Sequence, residues 1–207
     1  MPSPNIVKKY VAGGYYHVYN RGVAKTEIFL DSDDYFVLLN IFSHYLKPSD
    51  DVYRTNRRKL LVGGVDCLAY CLMPNHFHLL LKQESESDIT NFMRCTMNAY
   101  VRYFNNKYDR TGGLFESIVK AAYVDEDPYL THASRYIHTN SIDLGRNPET
   151  YPFSSYQSYL HGTEPAWLNS RPVIEQFASR AEYHKFVRGY QEAVNEVQPR
   201  KAVKVKL

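Results

Sequence analysis

At 207 residues and 44% hydrophobic content the chain fits one domain of ordinary size with a modest appendage, and it can bury a core. No apolar run approaches the roughly 20 residues of a membrane helix, and the start M-P-S-P-N-I-V-K-K-Y lacks the apolar stretch of a signal peptide, so a cytoplasmic protein without a membrane partner is expected. Three cysteines, Cys67, Cys71 and Cys95, with no C-x-x-C pair argue against a disulfide framework or a cysteine zinc site, and the net charge of +3 permits a polyanionic partner without demanding one. Nineteen tyrosines and ten phenylalanines interleaved with Arg and Lys suit single-stranded nucleic acid, although core packing accounts for most of them.

In chain order, Tyr15 to Asn20 is rich in strand formers and is broken by Arg21-Gly22. Asp31-Ser32-Asp33-Asp34 supplies helix N-cap types ahead of apolar positions at helical spacing, which predicts a helix from about 32 to 47. Ser49 to Lys59 is polar and basic and reads as a loop, where Arg54, Arg57 and Arg58 are candidate phosphate contacts. A short strand and then a longer one over Val65 to Leu72 follow, and Pro74-Asn75 is turn chemistry that makes a hairpin with the next strand.

That next strand, His76-Phe77-His78-Leu79-Leu80-Leu81, places two imidazoles at i and i+2 and therefore on one face. Two inert, hydrogen-bonded histidines and two metal ligands are both consistent with this spacing alone. Asp88 reads as the N-cap of a long helix that buries Ile89, Phe92, Met93, Met97, Tyr100, Val101 and Phe104, turns Arg94, Arg102 and Lys107 away, and dissolves at Asn105-Asn106. Arg110 sits in a basic glycine loop. Ile118 to Val124 reads as a strand whose Lys120 marks an edge or a functional surface.

Asp127-Pro128 is a strong helix start. In the helix that follows, Tyr136 and Asn140 stand i and i+4 on one face. The plain reading is a core aromatic and a C-cap. The sharper one gives Asn140 to a metal held by His76 and His78, with Tyr136 beside it as nucleophile.

Y-H-V-Y-N-R-G at 16 to 22, M-P-N-H-F-H-L-L-L at 73 to 81, G-L-F-E at 113 to 116, R-Y-I-H-T-N at 135 to 140 and Y-P-F-S-S-Y at 151 to 156 resemble the single-tyrosine HUH transposases, in particular the REP-associated tyrosine transposases. Two positions depart from the pattern: Ser141 stands where the family usually has proline, and Ile118 where it commonly has arginine. The resemblance implies a ferredoxin-like α+β fold, an antiparallel sheet with helices packed on it and the histidines on a central strand. It implies a catalytic domain over 1–162, before a helical appendage over 163–207 that reads as two short helices and a basic tail.

By the same resemblance the protein would cleave and rejoin single-stranded or hairpin DNA through a 5′-phosphotyrosine on Tyr136, as a monomer or homodimer. Magnesium or manganese would be held by His76, His78 and Asn140, though two imidazoles suit zinc as well. Lys120, Arg94, Arg102, Arg110 and Arg54 to Arg58 are the candidate backbone contacts. The competing reading is a domesticated hairpin-binding protein that does not cleave.

Overall fold

The computed structural model describes residues 10–47, 64–124 and 129–197, with side chains as far as Tyr190. Four strands, β1 (Tyr15–Arg21), β2 (Val65–Met73), β3 (His76–Gln83) and β4 (Lys120–Val124), form one antiparallel sheet in the order β2-β3-β1-β4. With α1 (Ser32–Leu46) between β1 and β2 and α2 (Asp88–Lys107) between β3 and β4, this is the expected α+β arrangement with the histidine strand in the interior of the sheet. The Arg54 to Arg58 segment and Asp127-Pro128 lie outside the described residues.

Strict alternation decides the two faces. Along β1, Tyr16, Val18 and Asn20 are buried while His17, Tyr19 and Arg21 take the other side. Along β3, Phe77, Leu79 and Leu81 join Tyr16 and Val18 in a core built with Leu38 and Phe42 of α1 and Phe92, Tyr100 and Phe104 of α2. The opposite face carries His76, His78 and Leu80. There Leu80 packs with Ala69, Cys71 and Met73 of β2 under a second helical layer. Each fully buried aliphatic or aromatic side chain in these layers contributes about 1.5–3 kcal/mol relative to exposure.

That second layer comprises α3 (Tyr129–Thr139), α4 (Tyr156–His161), α5 (Arg171–Ile174) and α6 (Arg180–Val197). Where two short helices were expected, the C-terminal region thus holds the short α5 and the long α6, whose Tyr183 and Val187 enter the second core. The free edge of β2 is covered, because Leu72 N donates to Phe153 O, Asn169 N to Cys67 O, and Ser155 N to Tyr70 O.

Three boundaries differ from expectation. The N-cap of α2 is Ser87, since Asp88 turns back to accept from Ser85 N at 2.7 Å. The same helix runs through Asn105-Asn106 to Lys107, whose Nζ reaches Asp31 and Asp34 at 2.7 and 2.8 Å. β4 starts at Lys120, and Ile118 is left 89% exposed.

Two buried polar groups tie helices together within their layers. Asp34, fully buried, accepts from Leu30 N, Lys107 Nζ, Tyr103 and Tyr108 at 2.7–3.0 Å and so joins the start of α1 to the end of α2. Although burial opposes the charge, the Lys107 ammonium and the other donors hold this carboxyl below its usual range. His138 of α3 bonds Tyr183 of α6 and Ser155 at the start of α4, each at 2.7 Å, and its ring stacks on Tyr156.

Asp34→Ala should cost about 3 kcal/mol in urea unfolding, because it strands the Leu30 N–H and the two phenols. Burial pushes the His138 pKa down to about 3, so below about pH 6.5 the unfolded chain binds the proton that the folded one refuses. Stability is therefore expected to be level above pH 7 and to fall by about 1.4 kcal/mol per pH unit for this one residue as pH drops towards the folded value. A urea midpoint unchanged between pH 7 and 5 would contradict this role for His138.

Candidate active site

Across the sheet, pairing in register sets Cys71, His78, Tyr19 and Lys120 in one row, and Met73, His76 and Arg21 in the next. All seven side chains stand on the same face. Helix α3 crosses above them, held down by Leu130 and Ile137, and the gap between helix and sheet is a cleft of about 600 Å³. His17, Tyr19, Arg21, His76, His78, Glu116, Lys120, Tyr136, Asn140 and Asp143 line it.

The sequence-derived set comes together here. The Tyr136 ring approaches His17 and His78 edge-on at 5.6 and 5.7 Å between centroids, and it remains 46% exposed, open to a substrate. Asn140 begins a 3-10 turn, and its Nδ2 donates to Tyr136 O at 2.7 Å. The amide nitrogen thus bonds the helix carbonyls, and no bond to Oδ1 is recorded among the described residues. Both readings of this residue are compatible in one rotamer.

Both histidines are neutral at physiological pH. Burial, then the Arg21 charge, pushes the His76 pKa down to about 4, and burial, then the neighbouring His17, His76 and Arg21 charges, holds His78 well below the usual imidazole range. His17 is also pushed down to about 4 by burial. A neutral imidazole is the form that binds metal. The Nδ1 atoms are engaged, by Asn75 Oδ1 at 2.6 Å and by His17 Nε2 at 2.8 Å, and Nε2 of each ring has no partner among the described residues. No group of three or more His, Cys, Asp or Glu among the described residues is arranged to hold a metal. Asn140 lines the cleft with both histidines, and two imidazole nitrogens with one amide oxygen would be a chemically sound set for a divalent ion.

The predicted backbone contacts divide. Lys120 lines the cleft. Arg94 and Arg102 ride on α2, the helix that covers the other face of the sheet, and Arg110 stacks over Phe104 of that same helix at 5.4 Å. None of these three lines the cleft. Sequence reading missed His17, Tyr19, Arg21, Glu116 and Asp143. The first three had a signal, since they recur with period 2 in the strand that pairs with the histidine strand; Glu116 lies in an irregular segment and Asp143 in a 3-10 turn too short to show a periodicity.

The turn after β1 is strained. Ala24 and Lys25 both adopt left-handed backbone, with φ of 52° and 62°, and a Cβ on Gly22 would lie 2.2 Å from Thr26 O. Left-handed non-glycine residues cost roughly 1–2 kcal/mol each. Ala24→Gly should therefore raise stability by up to about 1 kcal/mol in urea unfolding, and a loss of stability would mean that the turn is not strained at this residue.

No curated protein matches the chain in sequence. Among solved structures, a REP-associated tyrosine transposase bound to a REP hairpin superposes with a TM-score of 0.55 at 14% identity, covering 81% of this chain and 92% of that one, which establishes the shared fold. A transposase candidate of Deinococcus radiodurans R1 is looser, with a TM-score of 0.38 at 17% identity over 65% of this chain and 96% of its own. The model of the family described as "Transposase IS200 like" matches residues 49–140. That span holds both the histidine hairpin and the helix from Tyr136 to Asn140, the two motifs on which the resemblance chiefly rests.

Proposed function

We propose that the protein is a transposase that cuts and rejoins single-stranded DNA, at a hairpin or repeat end, through a covalent link to Tyr136. The observation that carries this reading is the edge-on approach of the Tyr136 ring to His78 in a cleft that His76 and Asn140 also line. The Tyr136 oxygen attacks phosphorus, the bond to the 3′ oxygen breaks, the phenol gives up its proton, and the departing strand ends in a 3′ hydroxyl. A 3′ hydroxyl attacking the 5′-phosphotyrosine reverses the step and frees the tyrosine, so energy stored in the link is available for joining.

Burial, and secondarily the Asp143 charge, raises the Tyr136 pKa, which makes the phenol a weak nucleophile when unassisted. Nε2 of His76, Nε2 of His78 and Oδ1 of Asn140 would hold magnesium or manganese. Such an ion, when bound, neutralises charge on the scissile phosphate and stabilises the leaving oxygen. Zinc also suits the two imidazoles. Arg21 and Lys120 flank the histidines and would grip phosphates on either side of the scissile one by charge-assisted hydrogen bonds. Tyr136 lines the same cleft as His76, His78 and Asn140 of its own chain, which supports a reaction carried out within one chain.

Tyr136→Phe removes one oxygen and keeps the ring. It should leave hairpin binding intact and shift unfolding by less than about 1 kcal/mol, while the covalent protein–DNA adduct expected of wild type on a denaturing gel should be absent. An adduct formed at the wild-type rate would assign the nucleophile elsewhere. Hairpin affinity should fall with salt, and Lys120→Ala should lower the log–log slope by about 0.7, the value for one phosphate on a single strand. Arg94→Ala and Arg102→Ala, which lie across the sheet, should leave that slope unchanged.

A further inference from the structure

The proposed function uses Nε2 of His76 and His78 and leaves open what holds each ring in the tautomer that presents a lone pair there. A neutral imidazole carries one N–H and one lone pair, and whichever nitrogen binds a cation must be the unprotonated one. For His76 the partner decides. Its Nδ1 lies 2.6 Å from Asn75 Oδ1, which can only accept, so Nδ1 bears the proton.

Asn75 is itself fixed. It sits in the two-residue turn between β2 and β3, and its Nδ2 donates to Lys25 O at 3.2 Å. The Lys25 carbonyl belongs to the turn with two left-handed residues, which is closed by Gly22 N donating to Asn75 O and by Lys25 N donating to Gly22 O. The strain in that turn thus delivers a carbonyl that orients the Asn75 amide, which in turn orients His76.

For His78 the partner is His17 on the neighbouring strand, Nε2 to Nδ1 at 2.8 Å, with the rings 23° from parallel and their centroids 5.0 Å apart. One N–H lies between the two nitrogens. When His78 is the donor, its Nε2 lone pair is free; when His17 is the donor, His78 presents an N–H. Arg21 and Lys120 line the same cleft, and their charges favour lone pairs over N–H groups on its walls.

We propose that His17 and Asn75 are positioning residues for the histidine pair, each accepting a hydrogen bond from an Nδ1–H so that both Nε2 lone pairs are available to a ligand in the cleft. This rests on the function proposed above for the use of those lone pairs, but not for their existence. His17 acts through His78 and is not itself a ligand. Loss of such outer partners typically weakens a metal site by about 10- to 100-fold.

The test is a long-range proton–nitrogen NMR spectrum of metal-free protein labelled with 15N-histidine, at pH 7.5, paired with Mn2+ titration followed by the EPR signal of free manganese. Wild type should show Nδ1 protonated and Nε2 bare at both His76 and His78. His17→Phe should move His78 towards the Nε2–H form and weaken Mn2+ binding 10- to 100-fold, and His17→Gln, whose amide oxygen accepts, should restore both. Asn75→Leu should alter His76 alone, whereas Asn75→Asp should keep it. These four variants give independent readings should one of them fail to fold. A wild-type His78 with protonated Nε2, or a His17→Phe protein with unchanged tautomer and Mn2+ affinity, overturns the proposal. So does Mg2+ perturbing Nδ1 of His78 in place of Nε2, which would make His17 a ligand. If wild type binds no Mn2+, the metal reading above fails, while the tautomers still decide this one.

Discussion

Pairing of Tyr19 with His78 across β1 and β3 fixes the position of the polar side chains the sheet contributes to the cleft. Because strand side chains alternate with period 2, a slip of one residue would carry His17, Tyr19 and Arg21 into the core under α1 and α2 and bring Tyr16 and Val18 to the cleft. The slip is prevented by the apolar set on the reverse side. Val18, Phe77, Leu79 and Leu81 are all fully buried there, and exposing even two of them would cost more than any contact in the cleft returns. The chemistry on one face is thus held in register by packing on the other.

Helix α3 is constrained in the same manner. Leu130 and Ile137 anchor its underside, and His138 links it to α4 and α6, so Tyr136 and Asn140 are turned to the cleft by residues that take no part in it. The C-terminal helices consequently contribute to the site without touching it. Tyr183 of α6 reaches Ser134 and His138 on the same helix that carries the proposed nucleophile.

Much of this was legible in the sequence because the relevant signals are local. The i, i+2 histidines, the proline-asparagine turn and the Tyr-x-x-x-Asn spacing each determine a face from neighbours a few residues away. His17 was not legible as a cleft residue, since its significance comes from sitting one strand over from His78, 61 residues later in the chain. The arginines of α2 were misleading for a related reason. A helix surface advertises its charges equally well whichever face of the sheet lies beneath it, and only the topology assigned Arg94 and Arg102 to the side away from the cleft. The expectation of two short helices missed the length of α6, whose burial depends on contacts with α3 and α4 that lie far from it in sequence.

The central claim is that one tyrosine among nineteen, Tyr136, becomes covalently joined to DNA. The most direct measurement is mass spectrometry of the protein after incubation with a hairpin-forming single strand and magnesium, followed by nuclease and protease digestion. The account predicts a nucleotide remnant on the peptide that contains Tyr136, attached through a 5′ phosphate, and on no other tyrosine. A remnant on Tyr19, Tyr129 or any other residue, or strand cleavage with no remnant on any peptide, would contradict it.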